Sequence, residues 1–259
     1  MNFWLTVFWL IPLISLFTAA LGAISLVASL VDRSGRASHA CARLWSRLIL
    51  LVSRTKVEVR GTLPPAGTCV YASNHQSIYD IPILFAAIPR ELRIVAKDSL
   101  GGVPFVGWHL RLAGHLLVDR RNPGAAILKR MHRLVAEHTS LIVFPEGTRS
   151  RDGRIGRFKG GVFLLAIEHG LPVVPVTVDG SVHVMTRGAL TVRPGRVVVT
   201  IHDAVPTAGL GRDDARPLAD RVKGIVAAGF VGAGFSPPPS QDDFSASSGS
   251  DFAARRAGR

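Results

Sequence analysis

A histidine and an aspartate five positions apart, His75 and Asp80 in Tyr71-Ala72-Ser73-Asn74-His75-Gln76-Ser77-Ile78-Tyr79-Asp80, are the residues of this chain best suited to moving a proton. An imidazole takes up a proton near neutral pH, and a carboxylate beside it fixes its tautomer and stabilises the charged form. Asp80 also stands before Ile81-Pro82, the arrangement of a helix N-cap with proline in the first turn. Capping and orienting are compatible provided His75 lies outside the helix, because residues five apart on an ideal helix point about 140° apart. A strand over Thr68 to Ala72, a loop carrying His75 and a helix opening at Asp80 meet that condition.

Three further stretches place charged or hydroxyl groups at strand ends. Gly114-His115-Leu116-Leu117-Val118-Asp119-Arg120-Arg121-Asn122 ends a short apolar run in paired cations, as a solvated turn or a site would. Phe144-Pro145-Glu146-Gly147-Thr148-Arg149-Ser150 bends at Pro145 and Gly147, and Arg149 offers a rigid fork of donors shaped for phosphate. Arg151, Arg154, Arg157 and Lys159 follow, a concentration that favours an anion site over a solvated charged face. Leu171-Pro172-Val173-Val174-Pro175-Val176 reads as buried strand. A Gly-x-Ser-x-Gly elbow is missing, and no His, Asp or Glu set has metal-ligand spacing such as His-Glu-x-x-His. Cys41 and Cys69 give neither metal spacing nor a disulfide framework. The formal net charge of +13 favours anionic partners: phospholipid headgroups, phosphorylated substrates or nucleic acid.

These groups need a scaffold and a setting. Phe3 to Val31 contains no charged residue and exceeds the roughly 20 residues that cross a hydrocarbon core. With no cation before it, the stretch is unlike a cleaved signal peptide; Pro12 is placed to kink it. Arg33, Arg36, Arg43, Arg47, Arg54 and Lys56 then follow, a run that keeps the downstream side in the cytoplasm. Among them Leu44, Leu48, Leu51 and Val52 recur at helical spacing beside Trp45, which fits a second helix at the membrane interface. A spanning helix and a monotopic hairpin both satisfy this pattern.

From Lys56 the alternation of short apolar runs, polar turns and amphipathic segments predicts an α/β domain: a mixed, mostly parallel central sheet flanked by helices, preceded by an N-terminal membrane-associated helix or helical hairpin. Strands are expected at Val57 to Val59, Thr68 to Ala72, Leu92 to Ala96, Leu116 to Val118, Leu141 to Phe144 and Val173 to Val178. A helix starting near Asn122-Pro123, with Ile127, Met131 and Leu134 on one face, is core scaffold; others are expected at Gly161 to Glu168 and Asp214 to Ala228. Leu190 to Ile201 reads as a hairpin around Pro194-Gly195. Beyond Phe235 the composition turns to Ser, Pro, Gly, Asp and Ala, that of a disordered tail.

In this order and spacing the four stretches resemble the glycerophospholipid acyltransferase family, most closely its bacterial 1-acylglycerol-3-phosphate acyltransferases. His75 to Asp80 matches the family's His-x4-Asp signature, Gly114 to Arg120 its second motif, Phe144 to Arg149 its third and Val174 to Val176 its fourth. The resemblance runs from roughly Lys56 to Gly180 and extends to the N-terminal membrane segment. It implies an enzyme that transfers a fatty acyl group from coenzyme A or acyl carrier protein to the sn-2 hydroxyl of lysophosphatidic acid, giving phosphatidic acid. By the resemblance His75 is the general base and Asp80 orients it; Lys97 and Arg149 hold the phosphate, Glu146, Gly147 and Thr148 shape the acceptor site, and Arg120 assists. No metal, no cofactor beyond the co-substrate thioester and no nucleic acid is expected; membrane lipids are. Residues 1–55 would anchor the chain to the cell membrane, 56–235 would form the acyltransferase domain on the cytoplasmic side, and 236–259 the tail. The rival readings are acylation of another lyso-lipid (a lyso-ornithine lipid or lysophospholipid), hydrolysis by the same pair, and a non-catalytic protein binding anionic lipid.

Overall fold

The computed structural model describes residues 3–32, 35–65, 67–118, 125–150 and 152–231. The expected tail and Arg120 lie outside them. The N-terminal apolar stretch is one helix, α1 (Phe3–Val31), of 29 residues. At about 1.5 Å per residue it is longer than the roughly 30 Å of a bilayer's hydrocarbon core. A π turn at Thr6–Leu10 stands just ahead of Pro12, which has no N–H to give and whose ring crowds the regular turn before it. Only 17% of the most apolar window of α1 is buried, and Trp4, Phe8, Trp9, Leu16 and Leu30 face outward. A soluble core helix is covered by protein; this one exposes the surface that lipid would cover.

Helix α2 (Arg36–Val52) folds back on α1. The reversal uses Gly35 at φ 79°, where a Cβ would stand 2.6 Å from Nη2 of Arg93, so glycine alone suits it. Trp45 Nε1 donates to Thr18 Oγ1 at 3.0 Å, and the Ser29 and Ser38 hydroxyls meet at 2.8 Å. Leu44 and Leu51 stay exposed while Ile49 and Leu50 turn inward, where with Leu10 they join the buried cluster of the globular part. The N-terminus is therefore a helical hairpin seated on the sheet domain.

The strands are β1 (Thr55–Arg60), β2 (Val70–Ser73), β3 (Leu92–Lys97), β4 (Leu116–Val118), β5 (Ser140–Val143), β6 (Val173–Asp179) and β7 (Gly195–Ile201). They form one sheet ordered β1-β7-β6-β2-β5-β3-β4, parallel at every step except β6 with β7. β2, β5 and β6 are buried along nearly their whole length, which is why they read as unbroken apolar runs. Between and after them lie α3 (Asp80–Ala87), α4 (Val106–Leu112), α5 (Ala125–Ala136), α6 (Gly161–Glu168), α7 (Ser181–Val184) and α8 (Ala215–Ala228). Ile83 and Leu84 of α3 pack on one face of the sheet; Met131 of α5, Phe163 of α6 and Val222 of α8 pack on the other.

The chain leaves β2 through α3 for β3, passing β5, and leaves β5 through α6 for β6, passing β2. The two connections run in opposite directions on opposite faces, so a crevice opens at the carboxyl ends of β2 and β5, the switch point where α/β sheets bind ligands. One expectation fails: the hairpin over Leu190 to Ile201 does not form. Gly195–Ile201 alone is strand, and it pairs antiparallel with β6 and parallel with β1. Residues 190–194 are irregular; Pro194 has no N–H for a ladder, and β7 already has a partner on each edge.

Candidate active site

His75 leaves the end of β2 in a loop whose shape is set by three side chains. Asn74 continues the sheet beyond its last strand residue: its Nδ2 donates to Val178 O and its Oδ1 accepts from Val178 N–H, each at 2.8 Å. The amide thus stands in for a strand residue, pairing with β6 as backbone would, and fixes where the chain turns off. Asp80 works from the far end. Its Oδ2 accepts from Gln76 N–H at 2.7 Å, Ser77 N–H at 2.9 Å and His75 Nδ1 at 2.8 Å. Glu146, after β5, accepts the His75 N–H on Oε1 and the Gly156 N–H on Oε2, both at 2.8 Å.

The capping expectation for Asp80 needs correction. Asp80 is the first residue of α3, the N-cap is Tyr79, and no side chain caps the helix. The carboxylate turns back onto the loop, because its backbone already lies within the first turn and its side chain points towards the preceding segment. Asp80 remains at the positive end of the helix, where a carboxylate is favoured. It is fully buried, as are Asn74 and Ser77, and His75 is 5% exposed. With three donors on one oxygen, Asp80 is an acceptor there, so His75 carries its proton on Nδ1 and presents the Nε2 lone pair away from Asp80. The ring stacks on Phe144, centroids 4.0 Å apart and planes 17° apart, which holds its plane. This is the geometry of a general base with a fixed tautomer.

Two cavities of opposite character adjoin this arrangement, one lined by Glu146 and Ser150 and the other by Ile78 of the histidine loop. One, of about 880 Å³, is a cationic basin that includes Glu146, Thr148, Arg149, Arg157, Lys159 and Arg187. Arg187 Nη1 donates to the Arg149 carbonyl at 2.7 Å, and Ser150 N–H donates to the His75 carbonyl at 2.8 Å, which ties basin to loop. Burial pushes the Glu146 carboxyl above the usual carboxylate range, opposed by the N–H groups of Gly156 and His75. Gly147 makes the turn at φ 73°, which a residue with a Cβ adopts only under strain. The other cavity, of about 270 Å³, is apolar and lies between the N-terminal hairpin and the sheet, lined by Trp45, Ile78, Ile81, Phe85, Phe105 and Leu110 among others.

Of the residues singled out in the sequence, His75, Asp80 and Glu146 meet directly, and Thr148 and Arg149 line the basin that Glu146 enters. Lys97 sits exposed at the carboxyl end of β3, on the same sheet edge but outside the basin's lining. Arg120 lies outside the described residues. The parts that sequence reasoning did not assign are the strand-like pairing of Asn74, the Phe144 stack and the Gly156 N–H on Glu146. All three join segments distant in sequence, and only the position of Asn74 and Phe144 inside the matched motifs marked them.

The site is thus a buried His-Asp pair at the switch point of a mixed α/β sheet, on a loop joined to an apolar cavity through Ile78 and to a cationic basin through Glu146 and Ser150. Residues 54–179, a little under half of the chain, match the family model described as Acyltransferase. It is 37% identical over 185 residues to the chloroplastic 1-acyl-sn-glycerol-3-phosphate acyltransferase BAT2 of Brassica napus, covering 69% of this chain and 54% of that one. It is 35% identical over 173 residues to 1-acyl-sn-glycerol-3-phosphate acyltransferase alpha of Bos taurus, covering 65% and 60%. The chain thus spans a little over half the length of these relatives. The crystal structure of the 1-acyl-sn-glycerophosphate acyltransferase PlsC from Thermotoga maritima superposes with a TM-score of 0.76 at 26% identity, over 87% of this chain and 93% of that one.

Proposed function

We propose that this protein transfers a fatty acyl group from a thioester, on coenzyme A or acyl carrier protein, to the sn-2 hydroxyl of 1-acylglycerol 3-phosphate, giving phosphatidic acid. The observation that carries the reading is the fixed His75–Asp80 pair on a loop whose Ile78 lines an apolar cavity and whose backbone is bonded to Glu146 and Ser150 of a cationic basin. Nε2 of His75 takes the proton of the acceptor hydroxyl as its oxygen attacks the thioester carbonyl, and Asp80 stabilises the imidazolium that results. The tetrahedral oxyanion collapses, the carbon–sulfur bond breaks, and the imidazolium returns the proton to the departing thiolate. The nucleophile is the substrate's own hydroxyl, so no acyl-enzyme is needed. Arg149, with Thr148 beside it, holds the phosphate from the basin, and Lys97 reaches it from the neighbouring strand end. The acyl chain leaves water for the apolar cavity, favourable by about 0.8 kcal/mol per methylene.

Helix α1 places this machinery at the membrane that supplies the acceptor and takes up the product, and the cations after it keep the site on the cytoplasmic side. The test is direct. Purified protein in detergent is given lysophosphatidic acid and labelled acyl-coenzyme A or acyl carrier protein, beside His75→Ala. Wild type is expected to make phosphatidic acid and the variant none above background. Absence of product from wild type with both donors, or equal acylation of a lyso-lipid lacking the phosphomonoester, would sink the proposal.

A further inference from the structure

The cationic basin carries more charge than one lysolipid phosphate requires. Arg149, Arg154, Arg157, Lys159, Arg187 and Arg216 line it with Glu146 and Asp152, and Arg216 is paired with Asp220 behind it, so six positive groups meet three negative ones, an excess of three. A phosphomonoester brings about −1.5 to −2 at neutral pH. The cations also differ in how they are held. Arg187 and Arg216 are fixed to the wall, their Nη1 atoms donating to the carbonyls of Arg149 at 2.7 Å and Phe158 at 2.6 Å. Arg154 and Arg157 are exposed. Arg154 makes a 4.0 Å ion pair with Asp152, and Arg157 has no hydrogen-bond or ion-pair partner among the described residues. A volume of about 880 Å³ lies within the roughly 300–1,000 Å³ of small-molecule sites.

We propose that Arg154, Arg157 and Lys159 bind the diphosphate and 3′-phosphate of coenzyme A, while Arg149 is left to the acceptor; the inference rests on the acyltransferase reading above. Coenzyme A delivers several phosphate charges into one concave site. A carrier protein presents its pantetheine through a single phosphodiester and needs a broad contact surface of about 800 Å² per partner. Glu146 and Ser150, which line the basin, are bonded to the backbone of His75, so a pantetheine arm that starts from phosphates in the basin begins beside the loop that carries the base.

The test uses the full chain in detergent and begins without acceptor. Labelled coenzyme A is bound at equilibrium by wild type and by the Arg154→Ala/Arg157→Ala double variant, whose exposed side chains are dispensable for packing. Wild type binds, and the variant binds about tenfold more weakly, as expected when charge-assisted hydrogen bonds to phosphate are lost. Wild type that fails to bind, or a variant that binds equally, overturns the site. Acyl transfer is then measured with palmitoyl-coenzyme A, with palmitoyl-pantetheine, which lacks the nucleotide phosphates, and with palmitoyl-acyl carrier protein. The variant raises KM for the first donor about tenfold and leaves KM for the second and for lysophosphatidic acid unchanged. An equal rise with both donors, or a rise confined to lysophosphatidic acid, assigns the arginines to the acceptor. A rise confined to palmitoyl-acyl carrier protein assigns them to carrier docking, and each of these results overturns the inference. Coenzyme A binding through the arginines with no acyl transfer from any donor defeats the acyltransferase reading and leaves the anion site standing.

Discussion

At the scale of single residues the site turns on one oxygen. Asp80 Oδ2 takes three hydrogen bonds, two from backbone N–H groups and one from His75, and this changes what the usual amide substitution should do. In Asp80→Asn the two N–H groups still demand an acceptor, so the amide oxygen keeps that place and the His75 tautomer survives; what is lost is the charge that steadies imidazolium. The expected result is a fall in kcat of about 10²- to 10⁴-fold with little change in KM for lysophosphatidic acid. Asp80→Ala removes the acceptor as well and leaves buried donors unpaired, at about 1–3 kcal/mol each. Its melting temperature should therefore fall well below that of Asp80→Asn in a thermal scan. Equal melting temperatures for the two variants would show that Asp80 does not hold the loop.

At the scale of elements, the sequence made visible what depends on local pattern. The apolar length of α1, the unbroken strands β2 and β6 and the proline–glycine bend after Phe144 each follow from neighbours in the chain. Hidden were the features that depend on distant pairing: which strand satisfies β7, the use of Asn74 as a strand substitute, and the direction taken by the Asp80 carboxylate. The hairpin's seat on the domain belongs to the hidden group too. Gly22 of α1 lies against α4, and a Cβ there would stand 3.0 Å from Phe105 Cβ, a contact that composition cannot announce. Gly22→Leu is expected to force the helices apart and cost about 1–3 kcal/mol. For a domain of this size that is roughly 2–4 °C in melting temperature per kcal/mol. Differential scanning fluorimetry in detergent checks this; an unchanged melting temperature would mean that α1 is not seated on α4.

At the scale of the whole molecule, the seam between the hairpin and the sheet domain contains buried and half-buried imidazoles that the proposed chemistry does not use. His39 of α2 and His109 of α4 are both lowered to about 4, chiefly by burial and then by the positive charge of Arg93. His115, wholly buried, is pushed well below the ordinary range by the same burial. His109 Nδ1 meets Ser25 Oγ of α1 at 2.7 Å, and His115 Nδ1 accepts the Ile94 N–H at 3.1 Å. Both contacts suit neutral rings. The unfolded chain binds protons on these histidines below about pH 6.5, whereas in the folded chain His39 and His109 resist until about pH 4 and His115 is held well below its ordinary range, so stability must fall as pH drops below about 6.5. The slope is up to about 1.4 kcal/mol per pH unit for each histidine. Melting temperature measured from pH 7 to pH 5, above the range where most carboxylates titrate, should decline steadily in wild type. His109→Gln keeps a polar partner for Ser25 but removes one titrating group, so its decline should be shallower by about one histidine's share. A slope identical to that of wild type would mean that His109 is not held neutral at the seam, and that the hairpin and the domain are joined without the penalty on protonation that their burial implies.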